Sequence, residues 1–259
     1  MHRITITALL FLTSFALFGQ EVATPTVADE KPKKKRKPPK KEMILINLNF
    51  DSWLNHPSTI SPKWFSSRGV DVAVLYDYVL AKSNFSLAAG VGFNSHNIHM
   101  EAFPINYQVS KYSERPNQAS AEIYSYTHLD PNFFAGNKIT VNKISTNFID
   151  IPFELRFRSK PHKNGKRIAA SLGFKLGWLV QSHTKTKLDE DYFFQGVNFG
   201  RKIKTYDIPN VTKFRYGLTA RIGYANFYLN FFYSLTTLFE NGKGTPATPI
   251  SVGIGFSPF

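Results

Sequence analysis

His96 and His99, with Ser95 and Glu101 beside them, are residue types from which a hydrolase or a metal site can be built. No motif here fixes a nucleophile, a base and an orienting group together, and paired loop histidines are more often solvated surface. The chain has no cysteine, which excludes thiolate metal sites and a disulfide framework. No glycine-rich turn opens a helix to cradle a phosphate. The reading is therefore of a non-catalytic chain that calls for no metal and no cofactor. The competing reading, a lipid-modifying or lipid-hydrolysing enzyme, has its site at His96 and His99.

A larger charged set has a different spacing. Asp51, Asp71, Asp77, Asp150 and Glu154 stand against Arg156, Arg158, Lys175, Arg215 and Arg221. Each sits in a stretch where polar or small residues alternate with bulky apolar ones, the period of a strand with two unlike faces. Residues 168–180 show it best. Ile168, Ala170, Leu172, Phe174, Leu176, Trp178 and Val180 form one face, and Ala169, Ser171, Gly173, Lys175, Gly177 and Leu179 form the other. The second face is too small and polar for a protein core, so the greasy face points outward, as in a barrel standing in lipid.

Eight such segments are expected, at 44–53, 69–79, 85–94, 148–158, 168–180, 214–224, 227–238 and 249–258. Their apolar faces carry no charge, as lipid exposure demands. The links between them alternate, short at 80–84, 159–167 and 225–226, long at 54–68, 95–147, 181–213 and 239–248. Short periplasmic turns and long outer loops are the mark of an outer-membrane barrel. The expected fold is all-β, an eight-stranded antiparallel up-and-down transmembrane barrel over residues 43–259 with both ends in the periplasm. Tyr76, Tyr78, Phe85, Phe157, Tyr224, Phe227 and Phe256 fall near its inner rim, and Phe93, Trp178, Tyr216 and Tyr233 near its outer rim, as aromatic belts do. A barrel this narrow holds only its own side chains or one small ligand. Its inward charges are expected to pair as a plug, because a lone buried charge is costly. A small pore, an ion-conducting path or a ligand carrier is the alternative and needs a continuous wet channel.

Residues 1–20 read as a cleaved secretory signal, with His2 and Arg3 ahead of an apolar run at 4–18. Residues 21–42 hold eight basic and four acidic residues and several prolines, which keep a chain extended and solvated. The run Lys33, Lys34, Lys35, Arg36 and Lys37 resembles a nuclear import signal, but behind a secretory signal it reads as a periplasmic tail, with no nucleic-acid partner. Part of the net charge of +14 resides there. Tyr107, Tyr112, Tyr124, Tyr126, Phe133 and Phe134 in the second outer loop, and Tyr192, Phe193, Phe194 and Phe199 in the third, suit contact with a protein partner in preference to a self-packed cap.

Phe148-Ile149-Asp150-Ile151-Pro152-Phe153-Glu154-Leu155-Arg156-Phe157, together with SLGFKLGW at 171–178 and a glycine-rich last strand ending at Phe259, resembles the PorT-like outer-membrane barrels of Bacteroidota. The resemblance covers residues 43–259 and its motifs are moderately specific. Some members of that family serve type IX secretion, so it implies an accessory or scaffolding subunit of a secretion or envelope-assembly complex. Expected partners are outer-membrane lipid, the barrel-assembly machinery during biogenesis, and other envelope or secretion proteins. Phe256 and Phe259 look like the aromatic end of the assembly signal, although Phe259 has the inward parity and follows Pro258.

Overall fold

The structure is a computed structural model; it describes residues 42–80, 83–112, 121–134, 136–162 and 165–257. The signal segment, the basic tail with Lys33, Lys34, Lys35, Arg36 and Lys37, and Phe259 lie outside the described residues.

Strands β1 (Glu42–Leu54), β2 (Arg68–Val79) and β3 (Phe85–His99) form a meander. A hairpin of β4 (Phe103–Tyr112) and β5 (Ala121–Asp130) then departs from the main sheet. The meander resumes with β6 (Ile139–Arg158) and β7 (Ile168–Leu188). Short strands β8 (Phe193–Phe194), β9 (Val197–Asn198) and β10 (Lys202–Tyr206) decorate the next loop, before β11 (Phe214–Tyr224), β12 (Phe227–Ser234) and β13 (Thr248–Phe256) complete the set. The order β7-β11-β12-β13-β1-β2-β3-β6 is closed by pairing of β6 with β7. This is the expected closed eight-stranded antiparallel barrel. Closure satisfies every strand edge, which lipid cannot do.

The faces follow the period of two. Val74, Leu87, Leu172, Leu218, Leu229 and Ile254 point outward and are more than 45% exposed, while Asn47, Asp71, Asp150 and Ser251 on the alternate positions are buried. Gly90, Gly173 and Gly253 sit where a Cβ would run into the backbone of the neighbouring strand, so glycine lets adjacent strands approach closely. Phe85 against Phe157 and Phe227 against Phe256, both at centroid distances of 5.3 Å, build the inner aromatic rim. Trp178 against Phe214 at 5.5 Å belongs to the outer one.

Four boundaries differ from the sequence expectation. β3 runs to His99, β6 begins at Ile139 and β7 continues to Leu188, so much of the presumed second and third loops is strand. β12 stops at Ser234, and Leu238 and Phe239 turn into the mouth and are buried. Above the lipid the polarity inverts. Ile98 and Ile144 are now buried inside while Asn97, Lys143 and Lys185 face out. A bulge assists: Asn147 pairs with Gln181 but Phe148 with Leu179, skipping Val180. One extra residue moves the inward set of β7 from Ser171 and Gly177 to Ser182, Thr184 and Thr186.

Candidate functional site

The ten charges anticipated for the lumen converge there in linked groups. At the inner end Asp77 pairs with Arg158 and, at 3.5 Å, with Arg156. Glu154 accepts from Arg156 Nε at 2.8 Å and pairs with Arg221. In the middle, Arg215 Nη2 donates to both oxygens of Asp150 at 3.1 and 3.0 Å, and its guanidinium lies over the Phe148 ring at 3.7 Å. Lys175 bridges Asp71 at 3.3 Å and Asp150 at 3.4 Å. Asn49 donates to Asp71 at 3.2 Å and accepts from Asn230 at 2.6 Å, which extends the network with neutral groups. Four acids therefore face five bases, and each of these charges has an opposite charge beside it, as burial requires.

Asp51, nearest the outer end, has no Arg or Lys partner among the described residues. It accepts from Ser251 Oγ at 2.6 Å and faces His96 Nδ1 at 3.0 Å. His96 is therefore a lumen residue, 4% exposed and stacked on Phe232 at 6.2 Å, and not part of a surface loop. His99 has the opposite parity on β3 and faces outward, and Glu101 is engaged with Lys63 at 2.8 Å. Ser95, His96, His99 and Glu101 do not share a face. The link Ser251–Asp51–His96 places the carboxylate between the other two, so the serine is not hydrogen-bonded to the imidazole as nucleophile to base.

Above the charges an apolar layer crosses the mouth. Trp53, Ile60, Met100, Leu129, Val211, Phe239 and Ala247 pack there, each at most 4% exposed. The hairpin β4–β5 folds over this layer: Thr127 N–H donates to Lys243 O at 2.9 Å, and Thr127 Oγ1 donates to Pro209 O at 2.9 Å. Small cavities of about 20 Å³ at His96, about 40 Å³ at Lys175 and about 20 Å³ at Arg156 interrupt the filling. Each has room for little more than one or two waters.

The loop aromatics divide. Phe103, Phe133, Phe134 and Tyr192 pack on one another at 4.7–5.2 Å between successive centroids, a self-packed cap where the sequence suggests partner contact for Phe133, Phe134 and Tyr192. Phe193, Phe194, Val197 and Phe199 instead stand 49–63% exposed around the tight β8–β9 turn. Gln195 and Gly196, both at positive φ, make that turn.

The family model described as "Outer membrane protein beta-barrel domain" matches residues 45–240. The chain belongs to that family and is an outer-membrane β-barrel protein. No curated protein sequence matches it. Among solved structures it is similar to Ail, the attachment invasion locus protein of Yersinia pestis, at 11% identity, 83% coverage of this chain, 97% of that one and a TM-score of 0.29. It is also similar to mutant porins of Rhodopseudomonas blastica, at 8% identity and 83% coverage of this chain. These alignments cover 99% and 100% of the porin chains, with TM-scores of 0.19 and 0.16.

Proposed function

We propose that this barrel is a non-catalytic accessory or scaffolding subunit of a secretion complex of the type IX kind, or of an envelope-assembly complex, as its resemblance to PorT-like barrels implies. The observation that supports this reading is the lumen, filled by ion pairs below and sealed by an apolar layer above. A barrel filled in this way has its outer surfaces to work with. The exposed tip at Phe193, Phe194 and Phe199 suits an outer partner, because aromatics anchor protein interfaces. The basic tail serves as the inner, periplasmic contact.

The test is a pull-down from detergent-solubilised outer membranes through a tag in an outer loop away from β8–β9, with the co-eluting proteins identified by mass. Large barrels or lipoproteins are expected in fixed stoichiometry, and Phe193→Ser with Phe194→Ser should release an outer partner. Elution of the protein alone overturns the proposal.

A further inference from the structure

Above the lipid-facing band, the outer wall made by β3, β6, β7 and β10 is basic. Lys204 lies opposite Lys185, Lys185 opposite Lys143, and Lys143 opposite His99, one cross-strand row on one face. Lys202 opposite Lys187 forms a second row above it. Like charges placed directly opposite one another on a sheet are destabilising. Among the outward positions of these four extensions, from Ser95 to Tyr206, there is no acidic residue. Of the acids near these strands, Glu101 pairs with Lys63 and Asp191 with Arg201, while Asp189, Glu190 and Asp207 lie beyond the strand ends and form no ion pair with the row among the described residues. None of the five lysines pairs with a carboxylate among the described residues.

The row is also aimed. Lys143 Nζ donates to Asn97 Oδ1 at 2.7 Å, and Lys204 Nζ lies 4.4 Å from the Tyr206 ring centroid. Asn97 and Tyr206 both belong to the next row toward the bilayer, so both ammonium groups lean down the wall. Burial and the neighbouring lysines Lys185 and Lys204 pull the Lys143 ammonium below its ordinary range. An anion in the row would relieve that crowding.

We propose that Lys143, Lys185 and Lys204 bind the phosphate groups of an outer-leaflet glycolipid. Height selects this ligand over a phospholipid. Lys143 is six residues beyond Ile149, where the unbroken apolar outward run of β6 ends (Val141 lies above the row), which is about 15 Å along the membrane normal for a tilted strand. An ordinary headgroup layer is only about 5–8 Å deep, whereas a phosphorylated saccharide carries its charge higher. Trp64 and Phe65, 49% and 80% exposed, flank the row. Their turn is fastened beside His99 by Lys63 N–H to His99 O at 2.7 Å and His99 N–H to Ser67 Oγ at 2.8 Å.

The probe is deep-rough lipopolysaccharide, a short, phosphorylated glycolipid, added to the full chain in zwitterionic detergent and read as bound mass by native mass spectrometry. The parent should retain it. The triple variant K143Q/K185Q/K204Q should retain it about tenfold more weakly, and Lys185→Gln alone about threefold. The triple variant should keep its heat-dependent gel shift and melt no lower than the parent, since repulsion has been removed. Equal retention by the triple variant overturns the proposal. So does equal retention of the dephosphorylated glycolipid or of phosphatidylglycerol, and so does displacement by millimolar inorganic phosphate, which would mark a site for the free anion.

Discussion

Glu154→Gln tests whether the lumen charges are a dry, paired plug. The Glu154 side chain is 4% exposed, as is Arg156, and Arg221 is 6% exposed. The substitution leaves Arg156 with Asp77 at 3.5 Å and leaves Arg221 with only a 3.3 Å hydrogen bond to Ser171 Oγ among its described contacts. Removing one partner of a buried pair typically costs about 3–5 kcal/mol, because the other charge stays buried. With a urea slope of about 3 kcal/mol per molar, the midpoint should fall by about 1–1.7 M. The assay is reversible urea unfolding from lipid vesicles, followed by tryptophan fluorescence from Trp53, Trp64 and Trp178. Glu154→Gln combined with Arg221→Met removes the stranded charge and should recover most of the loss. A fall of less than about 0.3 M for the single variant would refute the reasoning, since only hydrated, screened pairs are worth so little.

Phe239→Ala should cost about 3–5 kcal/mol, because the ring is 1% exposed in the apolar layer at the mouth; the same unfolding assay checks it, with faster amide exchange at 98–102 as a second readout. Val74→Arg places a charge midway along the lipid face, on a residue 56% exposed, and should cost about 2–4 kcal/mol in bilayers; unfolding from lipid vesicles that matches the parent would argue against the bilayer placement. Burial and then Lys204, Lys143 and Lys185 hold the His183 imidazole below its ordinary 6.5. The folded state therefore binds fewer protons than the unfolded chain once the pH drops through 6.5, so stability is lost on acidification and levels off below the folded-state value. Urea midpoints at about pH 7.5 and about pH 5 should differ in the parent and differ less in His183→Gln.

The barrel itself was legible because lipid enforces one rule along every crossing: apolar outside, small or polar inside. Asp71, Asp150 and Arg215 declared themselves by interrupting one face at period two, and all three are in the network. That rule stops at the headgroups. At Ile98 and Ile144 the apolar residues move inside and the polar ones outside, so a search for greasy outer faces ends the strands at 94 and begins them at 148. His96 was misplaced for this reason, although it keeps the inward parity of Asn94. The basic row was invisible in the chain because Lys143, Lys185 and Lys204 come from three strands and meet only through register. The apolar layer at the mouth likewise draws on four outer connections, and no local period announces contacts between distant loops.

The central claim is that this barrel has no path through it. Single-channel recording in planar bilayers, on protein whose folding is verified by its heat-dependent gel shift, tests that claim most directly. No steady conductance steps are expected over a wide voltage range. Steady, reproducible steps, especially steps that change with Arg215→Ala, would contradict it and make the charged lumen a pathway.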